Sequence, residues 1–133
     1  MSAKILIVDD SATMLRILKT SAKRTIEDVE VFEALNGKEA LEHLENNNDI
    51  KLILLDVNMP IMNGMEFLEI IRSQNKYDDV RVIMQTTETS KKQIEKAMKF
   101  KISGYLMKPY QTKIVKQLMI KLAPVIGYKI KEN

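Results

Sequence analysis

Four short apolar runs in this chain lead into residues that can do chemistry. Ile5–Val8 runs into Asp9 and Asp10, and Leu52–Leu55 into Asp56. Val80–Met84 leads to Thr86 and Thr87, and Tyr105–Met107 to Lys108 and Pro109. Together these supply three carboxylates, two hydroxyls and one amine. Carboxylates gathered at one place repel, so either one takes a proton or a cation sits between them. The chain has no cysteine and a single histidine, His43. The available ligands are therefore oxygens, and hard oxygen ligands with room for water suit Mg²⁺ or Mn²⁺. A lysine amine beside them binds a phosphate oxygen as a point charge, and a threonine hydroxyl donates to another. This is the equipment of phosphoryl transfer, which needs stabilised equatorial oxygens and an in-line nucleophile. A carboxylate can be that nucleophile, giving an aspartyl phosphate. Asp56, ending the central run, is the first candidate.

For such chemistry these residues must meet, which is a matter of the elements that carry them. Continuous apolar runs of this length suit strands buried on both faces, as in a parallel sheet. A weaker strand spans Val29–Ala34. Between the strands lie segments of helical period. Met14, Ile17, Leu18 and Ser21 share a face, with Ser11 as N-cap. Ala40, Leu41 and Leu44 follow Asn36-Gly37, and Gly64, Phe67, Leu68 and Ile71 share a third face. Ile94, Ala97 and Met98 form a fourth, with Ser90 as N-cap, and Ile114, Val115, Leu118, Met119 and Leu122 a fifth. Five β-α units in alternation predict an α/β fold, a parallel sheet with helices on both faces and right-handed crossovers. In such open sheets ligands bind beyond the carboxyl ends of the strands. The reactive residues therefore converge on one edge.

Composition narrows the field further. The chain's 133 residues fit one domain, with 45% hydrophobic and 29% charged residues. The absence of cysteine excludes disulfide scaffolds, thiol nucleophiles and Cys-ligated zinc. A net charge of +3 is too small to argue for nucleic acid. The N-terminal apolar run is too short to span a membrane and lacks the form of a signal peptide. A cytoplasmic location is expected. Residues 1–125 read as the domain and 126–133 as a short C-terminal tail, with the chain from Pro124 expected to be frayed or loosely docked.

Ile7-Val8-Asp9-Asp10-Ser11, Leu54-Leu55-Asp56-Val57-Asn58-Met59-Pro60, Met84-Gln85-Thr86-Thr87-Glu88 and Gly104-Tyr105-Leu106-Met107-Lys108-Pro109 together resemble the receiver domain of two-component response regulators. The resemblance covers nearly the whole chain, and is nearest to the family's single-domain chemotaxis members. It implies a flavodoxin-like (βα)5 fold with a five-stranded sheet in the order 2-1-3-4-5. It implies that Asp56 takes a phosphoryl group from a histidine kinase. Asp10, Asp56 and the backbone carbonyl of Asn58 would bind Mg²⁺, with Asp9 holding metal-bound water. Lys108 would pair with the phosphoryl group, Thr86 would turn inward to it, and Tyr105 would swing from outside to inside. Lys108-Pro109 would be a cis peptide. The face of the fourth helix, fifth strand and fifth helix would report the change to a partner. The resemblance thus implies a stand-alone, monomeric regulator and not an enzyme beyond its own phosphorylation and dephosphorylation. Its output would be a flagellar motor switch component, a relay or a modulated kinase, with no nucleic acid and no membrane insertion.

Several residues depart from the family pattern or have a plainer reading. Asn63-Gly64 stands where Asp-Gly is usual, and either pair serves a turn. Thr87 occupies a position where a small residue is common and would narrow access for attacking water. Asn58 and Glu88 instead resemble the pair found in fast-dephosphorylating members, so the two signals oppose. Gln85 replaces an apolar residue, and its buried amide needs a partner. Asp9 and Asp10 alone would read as strand terminator and helix cap. His43 is expected to be exposed. Lys91, Lys92, Lys96, Lys99 and Lys101 read first as a solvated face, although a basic rim would also steer an acidic partner. Two other functions compete. A haloacid dehalogenase-type phosphatase wants a second Asp two residues after the nucleophile, where this chain has Asn58. A flavin binder wants a phosphate-cradling loop where Asp9-Asp10 would repel phosphate.

Overall fold

The computed structural model describes residues 2–87 and 91–132. Its strands are β1 (Ala3–Val8), β2 (Val29–Ala34), β3 (Leu52–Asp56), β4 (Arg81–Thr86) and β5 (Gly104–Met107). Its helices are α1 (Ala12–Thr25), α2 (Gly37–Asn46), α3 (Gly64–Arg72), α4 (Lys91–Ala97) and α5 (Thr112–Leu122). The strands form one parallel sheet in the order β2-β1-β3-β4-β5. The centre of the sheet is the most apolar part of the chain, and every residue of β3 is buried.

Because side chains alternate along a strand, each strand serves two cores. Ile5, Ile7, Leu52, Leu54, Ile83 and Leu106 face α1 and α5, meeting Leu15, Leu18, Val115 and Met119. Leu6, Val8, Ile53, Leu55, Val82 and Met84 face the other way, against Leu44, Phe67, Leu68, Ile71 and Ile94. Each fully buried aliphatic side chain contributes about 1.5–3 kcal/mol. Short polar residues start the helices. Ser11 Oγ accepts from Met14 N–H at 3.2 Å, and Asn36 Oδ1 from Glu39 N–H at 2.9 Å. Asn63 and Glu66 cap α3 reciprocally, at 2.9 and 3.1 Å.

Several details differ from the sequence reading. The inner face of α1 is Leu15, Leu18, Ala22 and Thr25, while Ile17 is 37% exposed. Two small or self-satisfied residues fill that face, since Thr25 Oγ1 donates back to Ser21 O at 2.7 Å. Met98 points outward because α4 gives way to a 3₁₀ turn, Met98–Phe100, closed by Lys101 in the left-handed region at φ 57°. Ile114 lies on the outer flank of α5 and is exposed. His43 is half-buried, its Nε2 2.8 Å from Glu33 O and its ring tilted against Phe32. Ser90 lies outside the described residues.

Of the two expectations for the C-terminal segment, it is the docked one that holds. A 3₁₀ turn, Ala123–Ile126, leads to Gly127 at φ 79°, and Ile130 then pairs with Ile26 in an antiparallel bridge. The Tyr128 hydroxyl accepts from Lys4 N–H and Lys51 N–H, each at 3.2 Å, and donates to Lys4 O. It thereby closes backbone groups beside β1 and β3 at the amino ends of the strands. No helix among the described residues is long and apolar enough to cross a membrane.

Candidate functional site

The carboxyl ends of β1 and β3 place Asp9 and Asp56 level with one another, since Val8 pairs with Leu55. Alternation turns both toward the α1/α5 side of the sheet, continuing the rows of Ile7 and Leu54. Asp9 is fully buried and Asp56 nearly so, whereas Asp10 is exposed. Each of the three offers an oxygen within 4.8 Å of the others. Asp9 Oδ1 also accepts from Ser11 N–H at 2.9 Å just ahead of α1, whose N-cap is Ser11 rather than Asp9 or Asp10.

Opposite them, the loop after β5 carries Lys108, whose Nζ lies 3.3 Å from Asp56 Oδ1 and 3.4 Å from Asp9 Oδ2. Lys108 N–H donates to Thr86 O at 2.6 Å, tying this loop to the end of β4. The Lys108–Pro109 peptide is cis. One ammonium faces three carboxylates, so the site keeps an excess of negative charge. Burial, and then the charge of Asp9, push the Asp56 carboxyl up to about 6 against the opposing pull of Lys108. A cluster of hard oxygen donors that resists full ionisation fits a divalent cation.

Thr86 is buried, and its Oγ1 donates to Thr87 O at 3.0 Å. Asn58 is exposed next to the site and Thr87 is half-buried, while Glu88 lies outside the described residues. Tyr105 points outward and is 46% exposed. Sequence reasoning left two neighbours unassigned. Gly64 packs against the end of β3 so closely that a Cβ there would lie 2.2 Å from Asp56 O. Tyr110 donates its hydroxyl to Gln85 Oε1, which gives that buried amide one partner. The signal for the pair was a glutamine interrupting an apolar run and an aromatic residue just beyond Lys108-Pro109.

Comparison with known proteins agrees with this fold. The sequence profile of the response regulator receiver domain matches residues 5–119. The "Chemotaxis protein CheY homolog" of Campylobacter jejuni is 41% identical over 124 residues, covering 93% of this chain and 92% of that protein. "Chemotaxis protein CheY1" of Helicobacter pylori is 40% identical over 125 residues, covering 93% and 97%. Among solved structures, Vibrio cholerae chemotaxis protein CheY4 aligns with a TM-score of 0.79 at 30% identity, covering 91% of this chain and 98% of that one. The phosphatase and flavin-binding readings give way to this match. With its strand order, its acidic edge and its facing lysine, this chain belongs to the response regulator receiver family.

Proposed function

We propose that Asp56 accepts a phosphoryl group from a histidine kinase. The resulting switch changes the face formed by α4, β5 and α5, through which a partner protein reads the signal. The observation that carries this reading is the cluster of Asp9, Asp10 and Asp56 with the Lys108 amine on two of them. The likeness to two chemotaxis proteins supports a role in chemotaxis, and the downstream partner in this reading is a flagellar motor switch component.

Asp9, Asp10, Asp56 and the backbone carbonyl of Asn58 would hold Mg²⁺, or Mn²⁺, whose charge neutralises phosphoryl oxygens as they approach the carboxylates. The remaining work falls to the chain itself. The Asp56 carboxylate attacks phosphorus in line with the leaving group. The Lys108 amine, held between two carboxylates, takes a phosphoryl oxygen as the charge on Asp56 passes to the new group. Thr86 exchanges the Thr87 carbonyl for a second phosphoryl oxygen. Both residues then have partners that exist only after phosphorylation. A group carrying about −1.5 to −2 charge thus biases one of two arrangements of the β4 end. Tyr105 lies next to Met84 in the sheet register and follows that movement inward. Asn58, Thr87 and Glu88 control how water reaches the phosphoryl group.

Acetyl phosphate tests the proposal directly. Wild-type protein should gain one phosphoryl mass only when Mg²⁺ is present, and Asp56→Asn should gain none. Labelling of the variant equal to wild type would overturn it.

A further inference from the structure

Gln85 is the anomaly of the sheet interior. It is fully buried in β4, paired with Asp56 on one side and Leu106 on the other. Continuing the row of Ile83, it faces the α1/α5 core together with Asp56, and Asp9 stands at the same level on β1. An apolar side chain would fill this place without needing a partner. A buried amide is tolerated only where it is hydrogen-bonded. Gln85 has one such bond, from the Tyr110 hydroxyl to its Oε1, and its Nε2 has no partner among the described residues.

Tyr110 stands two residues beyond Lys108, with its ring packed on the α1/α5 core. Burial, and then the charges of Asp9 and Asp56, push its hydroxyl well above the ordinary phenol range. The hydroxyl therefore remains a neutral donor throughout the working pH range. The short segment Lys108-Pro109-Tyr110 is thus fastened to β4 at both ends. Lys108 N–H holds Thr86 O, and Tyr110 O–H holds Gln85. Between these fastenings the lysine side chain reaches Asp56 and Asp9.

We propose that Gln85 and Tyr110 form a positioning pair that fixes the Lys108 loop on β4 and so holds the Lys108 amine between Asp56 and Asp9. Among the described residues the pair makes no hydrogen bond to Asp9 or Asp56, and it acts through Lys108. The kinetic part of this inference rests on the proposed phosphoryl transfer; the placement of the amine does not. A polar pair at this position gives the loop a directional anchor that two apolar side chains would lack.

Two variants separate positioning from mere stability. Tyr110→Phe keeps the ring and removes the donor, leaving the Gln85 amide without its bond. Gln85→Leu with Tyr110→Phe makes the site wholly apolar and should recover the stability that the single variant loses. The first readout is reductive methylation of Lys108, followed by peptide mass spectrometry with the other lysines as reference. Loss of one neutral hydrogen bond shifts a local equilibrium by about fivefold. Lys108 should therefore label about fivefold faster in both variants, including the restabilised one. The second readout is the rate of Asp56 phosphorylation by acetyl phosphate, which should fall by a similar factor in both.

Unchanged Lys108 labelling in the double variant would overturn the positioning pair, whatever the phosphorylation result. Wild-type protein that takes no phosphoryl group would overturn the proposed function instead, and the methylation comparison would still decide the pair.

Discussion

Asp56 is placed between two opposing demands. To attack phosphorus as proposed, it must be ionised, yet burial beside Asp9 favours its proton. Its folded-state value of about 6 lies above the unfolded value near 3.8. Between these values the folded chain holds a proton that the unfolded chain releases. This group therefore contributes stability below pH 4 and loses it as pH rises through 6. The loss is on the order of 3 kcal/mol. In chelator-treated protein, urea titrations should show stability falling between pH 4 and pH 7, and Asp56→Asn should remove that part of the fall. Mg²⁺ added at pH 7 should restore stability to wild type and do little for the variant. If the two proteins have parallel profiles, the strain assigned to Asp56 is wrong.

The strands and helices explain why the site was largely legible before the fold was seen. Runs buried on both faces must be central strands, and their carboxyl ends must share an edge, so Asp9, Asp56, Thr86 and Lys108 could be placed from order alone. What stayed hidden depends on close approach and on geometry at element ends. Nothing in Asn63-Gly64 reveals that α3 begins against the backbone of Asp56, where a Cβ would meet Asp56 O at 2.2 Å. Gly64→Ala should therefore cost about 1–3 kcal/mol by overpacking. It should also slow labelling by acetyl phosphate, because relief of the contact moves the end of β3. Wild-type stability and rate in this variant would contradict that packing.

Arg72 was equally silent in the sequence. Its guanidinium donates to the carbonyls of Phe100, Tyr77, Val80 and Lys101 at 2.7–3.1 Å, joining α3 to the segments before β4 and β5. Periodicity found the helices, but a one-residue turn of α1 and the 3₁₀ end of α4 moved Ile17 and Met98 outward. Such shifts are set by what the neighbouring layer can accept.

Across the molecule, the two ends of the sheet have separate tasks. The carboxyl edge carries the acidic cluster and Lys108. The amino edge is closed by the C-terminal segment, where the Tyr128 hydroxyl bonds Lys4 and Lys51 and Ile130 meets Ile26. A terminal stretch rich in lysine reads as frayed or loosely docked because its anchors, one phenol and one backbone bridge, leave no periodic signature. Tyr128→Phe orphans part-buried backbone groups and should cost about 1–3 kcal/mol. Acetyl phosphate labelling should stay at the wild-type rate, because the two edges lie a full strand length apart. A slowed rate at full stability would show that the edges are coupled.

The most direct test of the account is chemical mapping of the phosphorylated residue. An aspartyl phosphate is an acyl phosphate, which borohydride reduces to homoserine. After treatment with acetyl phosphate and Mg²⁺, peptide mass spectrometry should find homoserine at position 56 and at no other aspartate. Homoserine at Asp9 or Asp10 in place of Asp56, or an unmodified chain under these conditions, would contradict it.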